Sequence, residues 1–373
     1  MKKKIISFIV FPLFVCAAAY AQGITWTPAQ HMNKARAFFA AAQLQNGNVL
    51  VAGGYDATAS PINFKDAEIY DWHTGVWTTV ASMNKERAAA VAVVLENGDV
   101  MVIGGADENF NFHANAEIYD VANNTWTLTA PMNGAHFEDF TAVVLPGRKV
   151  LVAGGSNGAL SLAEIYDQKT DTWTTTGSLN VGRGEFATVV LNDGRVMVVG
   201  GEMADGITPI ASAEIYDPKT GTWSLTGSLI TARNDLALVE LRDGRVLAAG
   251  GGMGSEEFPR NMSAEIFDPH TGTWTPTGPM TIPRSEVEYA SVLLPDGRVL
   301  VPGGQTMPHR PVTSAELYDP KTGTWTAAGD MSIQRAGHFS IVLNGNRGVL
   351  VMGGEGDKDY SGSTASVDIA VPK

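Results

Sequence analysis

Cysteine is nearly absent from this chain, with Cys16 the single example among 373 residues. It lies in an N-terminal segment with the composition of an export signal: Lys2–Lys4, an apolar run from Ile5 to Ala19, and the small-residue cleavage site Ala19-Tyr20-Ala21. Cleavage there predicts a signal peptide at 1–21 and a mature chain at 22–373 without cysteine. Disulfides, thiolate metal sites and cysteine nucleophiles are therefore excluded from the mature protein.

Long apolar runs are also scarce. The N-terminal run is short for a membrane span and contains Pro12, and no later stretch resembles a span. A lipid-modified Cys16 is the disfavoured alternative, because Val15 stands where a lipoprotein signal normally carries a small residue. We therefore expect an exported protein, periplasmic, extracellular or associated with the cell surface, with no transmembrane segment.

Basic residues are also few relative to acidic ones. The 26 lysines and arginines face 39 aspartates and glutamates, a net charge of −13, and the mature chain carries −16 because the signal holds three lysines and no acid. This balance disfavours nucleic acids and anionic membrane surfaces as partners. The chain divides into regular units without a linker, which favours one closed array over two domains. We also expect a monomer.

Those units form an internal repeat of about 50 residues. In each copy a tryptophan precedes an arginine or histidine by ten residues: Trp26/Arg36, Trp77/Arg87, Trp126/His136, Trp173/Arg183, Trp223/Arg233, Trp274/Arg284 and Trp325/Arg335. Diglycines recur at Gly53, Gly104, Gly154, Gly200, Gly250, Gly303 and Gly353, each followed by an Ala-Glu-Ile-Tyr-Asp-like block. The spacing predicts four short strands per unit and no helix.

With its diglycine, tyrosine block and spaced tryptophan, the chain resembles the kelch-repeat β-propellers, within the superfamily that includes galactose oxidase. The resemblance implies an all-β, seven-bladed propeller with four-stranded antiparallel blades. Because Trp26 precedes any complete unit, we expect Thr25–Pro28 to be the outer strand of the last blade, closing the ring. The block at Ser366–Ile369 departs from the consensus, so its strand is the least regular.

Loop lengths distinguish two faces of such a propeller. The loop between strands two and three varies, and so does the stretch after the arginine or histidine, with insertions at 136–145 and 284–294. Both emerge on one face, which we predict to be functional because binding residues concentrate on variable loops. Opening residues there predict an acidic arc over four blades, with Phe38, Phe39 and Phe339 opposite. The candidate ligand-binding residues are His136, Glu138, Asp139, Arg183, Glu185, Arg233, Asp235, Arg284, Glu286, Glu288, Arg335 and His338.

The arginines and the histidine at the repeated position have a structural alternative, which we favour. A residue present in every blade suits a bond to inter-blade carbonyls or to the block glutamates, because buried polar groups need partners. Those glutamates are Glu68, Glu117, Glu164, Glu214, Glu265 and Glu316.

Carboxylates beside aromatics suit a polar, ring-containing ligand, so we expect a binding module for a glycan or a protein partner. The alternative is a carbohydrate-active enzyme, an epimerase or lyase, with Glu138, Glu185, Asp235, Glu286 or His338 as acid and base. A purely architectural surface protein is a third possibility. The copper site of galactose oxidase depends on a cysteine-crosslinked tyrosine, so we expect neither that chemistry nor another cofactor.

Three local motifs favour ordinary structure over chemistry. Gly154–Gly158 matches G-x-S-x-G but falls on a repeated diglycine. Asp357, Asp359, Ser361, Gly362 and Asp368 suggest a calcium loop, the one metal site considered, yet lack the flanking helices. The loop 107–113 mixes acids, aromatics and His113 and is expected to be a solvated rim.

Overall fold

The computed structural model describes residues 23–155, 161–253, 260–307, 310–356 and 362–373. The predicted signal peptide, residues 156–158 of the G-x-S-x-G motif and residues 357–361 of the calcium motif lie outside them. Seven antiparallel sheets form a seven-bladed β-propeller, as the repeat predicted. Within the described ranges, no helix is long and apolar enough to cross a membrane.

The strands follow in chain order, four main strands to a blade. Blade 1 has strands β2 (Ala40–Gln43), β3 (Val49–Ala52), β4 (Ala67–Asp71) and β5 (Val76–Val80). Blade 2 has β6 (Val91–Val94), β7 (Val100–Ile103), β8 (Ala116–Asp120) and β9 (Thr125–Leu128). Blade 3 has β10 (Thr141–Leu145), β11 (Lys149–Ala153), β12 (Ala163–Asp167) and β13 (Thr172–Thr175). Blade 4 has β14 (Ala187–Val190), β15 (Val196–Val199), β16 (Ala213–Asp217) and β17 (Thr222–Leu225).

The remaining blades include the two ends of the described chain. Blade 5 has β18 (Ala237–Glu240), β19 (Val246–Ala249), β20 (Ala264–Asp268) and β21 (Thr273–Thr277). Blade 6 has β22 (Val292–Leu293), β23 (Val299–Pro302), the short extra strand β24 (Gln305–Thr306), β25 (Arg310–Asp319) and β26 (Thr324–Arg335). Blade 7 has β27 (Phe339–Val342), a 3-10 turn (Asn344–Asn346), β28 (Val349–Met352), β29 (Val367–Pro372) and the N-terminal β1 (Ile24–Pro28).

The core lies between blades, where the second strand of each sheet is covered on both faces. Strands such as Val49–Ala52 and Val196–Val199 are buried at every position. A strand covered on both faces is a continuous apolar run, whereas the third strands alternate buried and half-buried residues. The apolar runs of the sequence therefore become the packing layers between neighbouring blades.

The seven-residue aromatic spacing is a cross-strand pair, as expected. Tyr216 lies opposite Trp223 in the register of β16 and β17, with ring centroids 5.1 Å apart. Five other blades repeat the pair: Tyr70/Trp77, Tyr119/Trp126, Tyr166/Trp173, Phe267/Trp274 and Tyr318/Trp325. Aromatic pairs in this geometry contribute beyond their buried area.

The ring is closed by strand exchange, which confirms the expectation for the N-terminal strand. β1 pairs with β29 from Ile24↔Pro372 to Pro28↔Asp368, completing blade 7. The Trp26 indole N–H donates to the carbonyl of Ala328 in blade 6 at 2.8 Å. Closure satisfies strand edges that would otherwise be open to pairing with other chains.

The diglycines join neighbouring blades. The N–H of Gly54, at φ 86°, donates to the carbonyl of Arg87 in the next blade at 2.8 Å. The same bond is made six more times, by Gly105 to His136, Gly155 to Arg183, Gly201 to Arg233, Gly251 to Arg284, Gly304 to Arg335 and, across the closure, Gly354 to Arg36. The second glycine is thus required by a positive φ and by close backbone contact.

Candidate functional site

The variable face centres on a left-handed turn that all seven blades share. The residue two positions after the arginine or histidine has a positive φ in every blade: Phe38 47°, Ala89 52°, Glu138 53°, Glu185 51°, Asp235 47°, Glu286 54° and Gly337 55°. Non-glycine residues seldom adopt this conformation, because Cβ crowds the backbone. Except for Gly337, all of them line one cavity of about 650 Å³.

A second ring of residues lies beside the first. In six blades the residue after the diglycine forms an isolated bridge with the residue just before the left-handed turn, as in Tyr55 with Ala37 and Glu202 with Gly184. Tyr55, Ala106, Glu202, Gln305 and Glu355 of this ring also line the cavity. In blades 1, 2, 4 and 6 both segments therefore converge on a single opening, to which blades 3, 5 and 7 each add one of the two, and which we call the funnel.

Carboxyl groups dominate the charge of the funnel. Its described lining carries one cation, Arg260. It carries eight carboxyl side chains: Asp107, Glu108, Glu138, Glu185, Glu202, Asp235, Glu286 and Glu355. The acidic arc predicted for blades 3 to 6 is thus present as a geometric feature, and it extends into blade 7 through Glu355.

Aromatic rings form part of the wall. Phe38 and Tyr55 of blade 1 stack with centroids 5.9 Å apart, and Phe137 of blade 3 also lines the cavity. Phe39 and Phe339, which we expected beside Phe38, pack against each other 5.1 Å apart outside this lining. The funnel therefore offers apolar ring faces close to its carboxyl groups.

Neutral polar groups hold several of the carboxylates in place. The Asn234 side-chain amide donates to Glu185 Oε2 at 2.6 Å. The Gln305 amide donates to Glu286 Oε1, and the Tyr55 hydroxyl donates to Glu355 Oε1. These bonds orient the acids without neutralising their charge.

Crowding raises the pKa values of the funnel carboxyls. Burial, together with the charges of Asp139 and Glu185, raises the pKa of Glu138 to about 8. Burial and a shared hydrogen bond with Glu185 raise the pKa of Glu202 to about 8, and burial raises the pKa of Glu355 to about 7. The pKa of Asp235 is also well above its ordinary range because of burial. Part of the cluster therefore holds protons at neutral pH.

The two predicted insertions meet next to the funnel. Asp139 is the extra residue of blade 3, and Glu288 and Tyr289 belong to a turn that shortens the first strand of blade 6. The Tyr289 hydroxyl donates to Asp139 Oδ1 at 2.9 Å, and its ring stacks on Phe339 at 4.9 Å. Burial raises the pKa of Asp139 to about 7, and it also raises the pKa of Glu288. These two acids lie outside the lining of the main cavity.

The repeated arginines lie inside the blades. Arg183, fully buried, donates to the carbonyl of Gly200 at 2.8 Å and to Glu214 at 3.0 Å. The same pair of contacts is made by Arg36, Arg87, Arg233, Arg284 and Arg335, the last with Asp368 in place of a glutamate. Their side chains are absent from the funnel lining, which agrees with the structural alternative.

The two candidate histidines are also enclosed. His136 replaces arginine in blade 3, with Nδ1 2.8 Å from the carbonyl oxygen of Gly154 and Nε2 3.5 Å from Glu164. His338 occupies the position that Phe39, Phe186 and Leu236 fill in other blades, and among the described residues neither of its nitrogens has a hydrogen-bond partner. Burial lowers the pKa of His338 well below its ordinary value, so its ring is neutral. Neither histidine lines the funnel.

Several residues of the funnel lining were not predicted from the sequence. Tyr55, Glu202 and Glu355 share the position after the diglycine, a regular spacing that could have revealed them. Gly337 occupies the left-handed position in blade 7. A glycine at this repeated position indicates a turn with positive φ. Arg260 has no counterpart at a repeated spacing in the sequence, so only the folded chain brings it to the funnel.

Local motifs add little to the site. Asp107, Glu108 and Phe110 of the loop 107–113 reach the funnel rim. Asp368 of the calcium motif is buried and paired with Arg335, so its carboxylate is engaged in blade structure. Within the described ranges, no three His, Cys, Asp or Glu side chains converge as ligands of a metal ion.

Comparison with known sequences places most of the chain among kelch repeats. The sequence model of the KLHDC2/KLHL20/DRC7 Kelch-repeats domain matches residues 38–251, more than half of the chain, and the Kelch motif matches residues 288–332. Among curated proteins, F-box/kelch-repeat protein At1g74510 of Arabidopsis thaliana is 38% identical over 85 residues, 22% of this chain and 18% of that protein. F-box/kelch-repeat protein SKIP30 of Arabidopsis thaliana is 33% identical over 81 residues, 21% of this chain and 22% of that protein. The matches span about a fifth of each relative.

Two solved structures are similar in fold. A novel fungal alcohol oxidase of the AA5 family, in complex with copper, superposes with a TM-score of 0.76 at 20% identity over 94% of this chain and 76% of its own. YjhT superposes with a TM-score of 0.61 at 15% identity over 81% of this chain and 99% of its own. The described funnel lining contains neither histidine nor cysteine, so its donors do not fit a copper centre built on a cysteine-crosslinked tyrosine.

Proposed function

The chain belongs to the kelch-repeat family, and on that basis we propose that it is an exported binding module that docks a partner protein on the funnel face. Kelch propellers are typical protein-interaction modules. The similar F-box/kelch-repeat proteins support an interaction role, although they match only part of this chain. Export rests on the composition of residues 1–21.

The observation that carries the proposal is a set of exposed apolar side chains on the funnel-face loops of blades 1, 2, 4 and 5. Phe110 is 73% exposed and Ile207 56% exposed, both in loops between second and third strands. Ile62, Phe112, Met203 and Met253 are exposed in the same class of loop. Apolar groups gathered at a rim of this kind indicate a surface that another molecule covers.

The opposite face is more strongly charged, although Val76 and Val190 at its strand ends are 43% and 45% exposed. Its turns between first and second strands carry charged pairs that bond to each other, such as Arg195 with Asp193 at 2.8 Å and Arg245 with Asp243 at 2.7 Å. Such exposed, self-paired charges favour solvent over a dry interface. Exposed apolar loops on the funnel face and self-paired charges on the opposite face therefore favour the funnel face as the docking surface.

The experiment is site-specific photocrosslinking in cells that produce the protein, with a photoreactive residue at Phe110 or at Leu225. Leu225 is the control because it is 58% exposed on an outer strand and does not line the funnel. We expect one partner protein to crosslink from Phe110, and its yield to fall in the Ile207→Ser variant but not in Val190→Ser. Equal crosslinking from both positions, or none from Phe110, would contradict the proposal.

A second candidate is a glycan site, with or without turnover. The stacked Phe38 and Tyr55 beside the carboxyls match the way proteins hold sugar rings, and carboxyls with pKa values near 7 or 8 suit acid and base roles. A glycan array with the chain 22–373 and its Glu185→Ala, Asp235→Ala, Glu286→Ala variant tests this. Binding lost in the variant supports it and justifies an assay for turnover, whereas binding by neither form would exclude it.

A further inference from the structure

We propose that the funnel receives a basic side chain, lysine or arginine, that the docked partner protein projects into it. The inference rests on the proposed docking function and adds to it the chemistry of the central contact. It follows from charge, from an unpaired buried oxygen and from the shape of the wall.

Charge is strongly one-sided. Eight carboxyl groups and one guanidinium line the described funnel. The acids are spread over blades 2 to 7 and do not converge in a cluster suited to a metal ion. A distributed ring of acceptors suits an organic cation, whose N–H groups point in several directions.

The carboxyl group of Glu355 has one oxygen without a hydrogen-bond donor among the described residues. Glu355 is only 1% exposed, and it lines the cavity. Its Oε1 accepts from the Tyr55 hydroxyl, but its Oε2 has no hydrogen-bond partner among the described residues. A buried acceptor without a partner is costly, and an ammonium or guanidinium N–H would satisfy it.

The walls accommodate the apolar stem of such a side chain. Phe38, Tyr55 and Phe137 offer ring faces, and Ala88, Ala89 and Ala106 leave space beside them. Lysine and arginine bury their methylene stems against apolar surface while their charged ends reach polar groups, and ring faces attract cations. The exposed apolar rim would then contact residues that flank the basic one.

The positive charge of Arg260 repels an incoming basic side chain, but it does not neutralise the acidic arc. It lies beside Asn234, at the blade 5 side of the funnel, where its Nη1 is 3.3 Å from the position of a Cβ on Gly252. Its single charge stands against Glu138, Glu185 and Glu202 on blades 3 and 4, and Asp235, Glu286 and Glu355 on blades 5 to 7. The funnel keeps an excess of acceptors.

A bound cation would release protons. The pKa values of Glu138 and Glu202 are raised to about 8 and that of Glu355 to about 7, so these groups are partly protonated at pH 7. A positive charge close by favours their ionised forms and lowers these pKa values. Proton release at pH 7 therefore distinguishes entry into the funnel from attraction to the negatively charged surface.

The test uses four pentapeptides with central lysine, arginine, norleucine or glutamate between leucines, titrated calorimetrically into residues 22–373 at pH 7 in phosphate and in Tris. The funnel variant is Glu185→Gln, Asp235→Asn, Glu286→Gln. The control, Asp193→Asn, Asp243→Asn, Asp296→Asn, removes three charges from the same blades at the opposite face. Thermal melting confirms that both variants fold.

We expect the lysine or arginine peptide to bind at least ~10-fold more tightly than norleucine, with buffer-dependent heats that report proton release. The funnel variant should lose this preference, and the control should keep it. Equal affinity for all four peptides, no binding at millimolar lysine peptide, or equal loss in both variants would overturn the inference. Crosslinking from Phe110 is independent of these results, so docking can stand while the cationic contact fails.

Discussion

The Tyr289 hydroxyl donates a 2.9 Å hydrogen bond to Asp139 Oδ1, joining blade 6 to blade 3 across 150 positions of sequence. Both residues belong to insertions that break the repeat. The bond therefore joins two inserted segments, which the repeated scaffold of the propeller brings together. It also ties the wall of the ring together beside the funnel.

Replacing Tyr289 with phenylalanine removes this bond and keeps the ring that stacks on Phe339. The hydroxyl favours the ionised carboxylate, so the pKa of Asp139, about 7 in the intact protein, should rise further in the variant. Hydrogen bonds to charged groups contribute about 1.5–3 kcal/mol, so we expect a larger loss of unfolding free energy at pH 9 than at pH 5.

Carboxyl-carbon NMR titration and urea unfolding at both pH values measure these effects. Tyr70→Phe is the control, because Tyr70 lies in an outer hairpin far from the acids. An unchanged Asp139 titration in Tyr289→Phe would show that the hydrogen bond does not form in solution.

The funnel acids should make the protein less stable as pH rises. The folded-state pKa values of Glu138 and Glu202, about 8, and of Glu355, about 7, lie above the ordinary value near 4.3 for an unfolded chain. The folded state then binds more protons than the unfolded state. The stability from these groups is complete below about pH 4 and is lost as pH rises through about 7 to 8.

Unfolding free energies at pH 5, 7 and 9 test this dependence. Glu138→Gln with Glu202→Gln should flatten the decrease between pH 5 and 9, because the amides do not ionise. Asp193→Asn with Asp243→Asn changes the same net charge at the opposite face and should leave the slope intact. A Glu138→Gln, Glu202→Gln variant whose stability falls between pH 5 and 9 as steeply as that of the wild type would refute the raised pKa values.

His338 should act in the opposite direction. It is 1% exposed, and no described residue forms a hydrogen bond with its nitrogens. Burial, aided by the charges of Arg335 and Arg284, lowers its pKa. The folded state therefore binds fewer protons than the unfolded state at this site. The stability that neutral His338 contributes to the folded state is complete above about pH 6.5 and is lost as pH falls below that value.

The variant His338→Phe places in blade 7 the residue that blades 1 and 4 use at the same position, Phe39 and Phe186. We expect its gain in unfolding free energy over wild type to be larger at pH 5 than at pH 8, because the unfolded histidine is protonated at pH 5 and the buried one is not. Denaturant unfolding at the two pH values measures the difference. The same gain at both values would assign the effect to packing alone.

The second glycine of each pair should be far less replaceable than a turn glycine. Gly201 has φ 97°, and a Cβ there would lie 2.4 Å from the carbonyl oxygen of Gly184. Gly194, in the same blade, has φ 85° with nothing within 4 Å of that position. Alanine at Gly194 should cost about 1–2 kcal/mol from backbone strain, and alanine at Gly201 about 2–5 kcal/mol because overpacking is added.

Urea unfolding of Gly194→Ala and Gly201→Ala compares the two costs directly. The difference isolates the close approach between neighbouring blades, because both positions share the positive φ. Equal costs would mean that the diglycine is retained for conformation only.

Residue spacing alone determined the scaffold. The seven-residue Tyr-to-Trp spacing predicted the outer hairpin, and Trp26 predicted ring closure by β1, because both depend on local periodicity repeated in every unit. The order of the blades also followed, so Glu138, Glu185, Asp235 and Glu286 could be assigned to adjacent blades before their positions were known.

Tertiary structure alone decided which side chains share the funnel. The direction of each side chain depends on the left-handed turn, on the neighbouring blade and on loops without repeated length. Arg183 and His338 are therefore enclosed, whereas Glu355 and Arg260 reach the cavity. Distances across a ring, such as that between Asp139 and Tyr289, arise only when all seven blades close, since no local spacing encodes them.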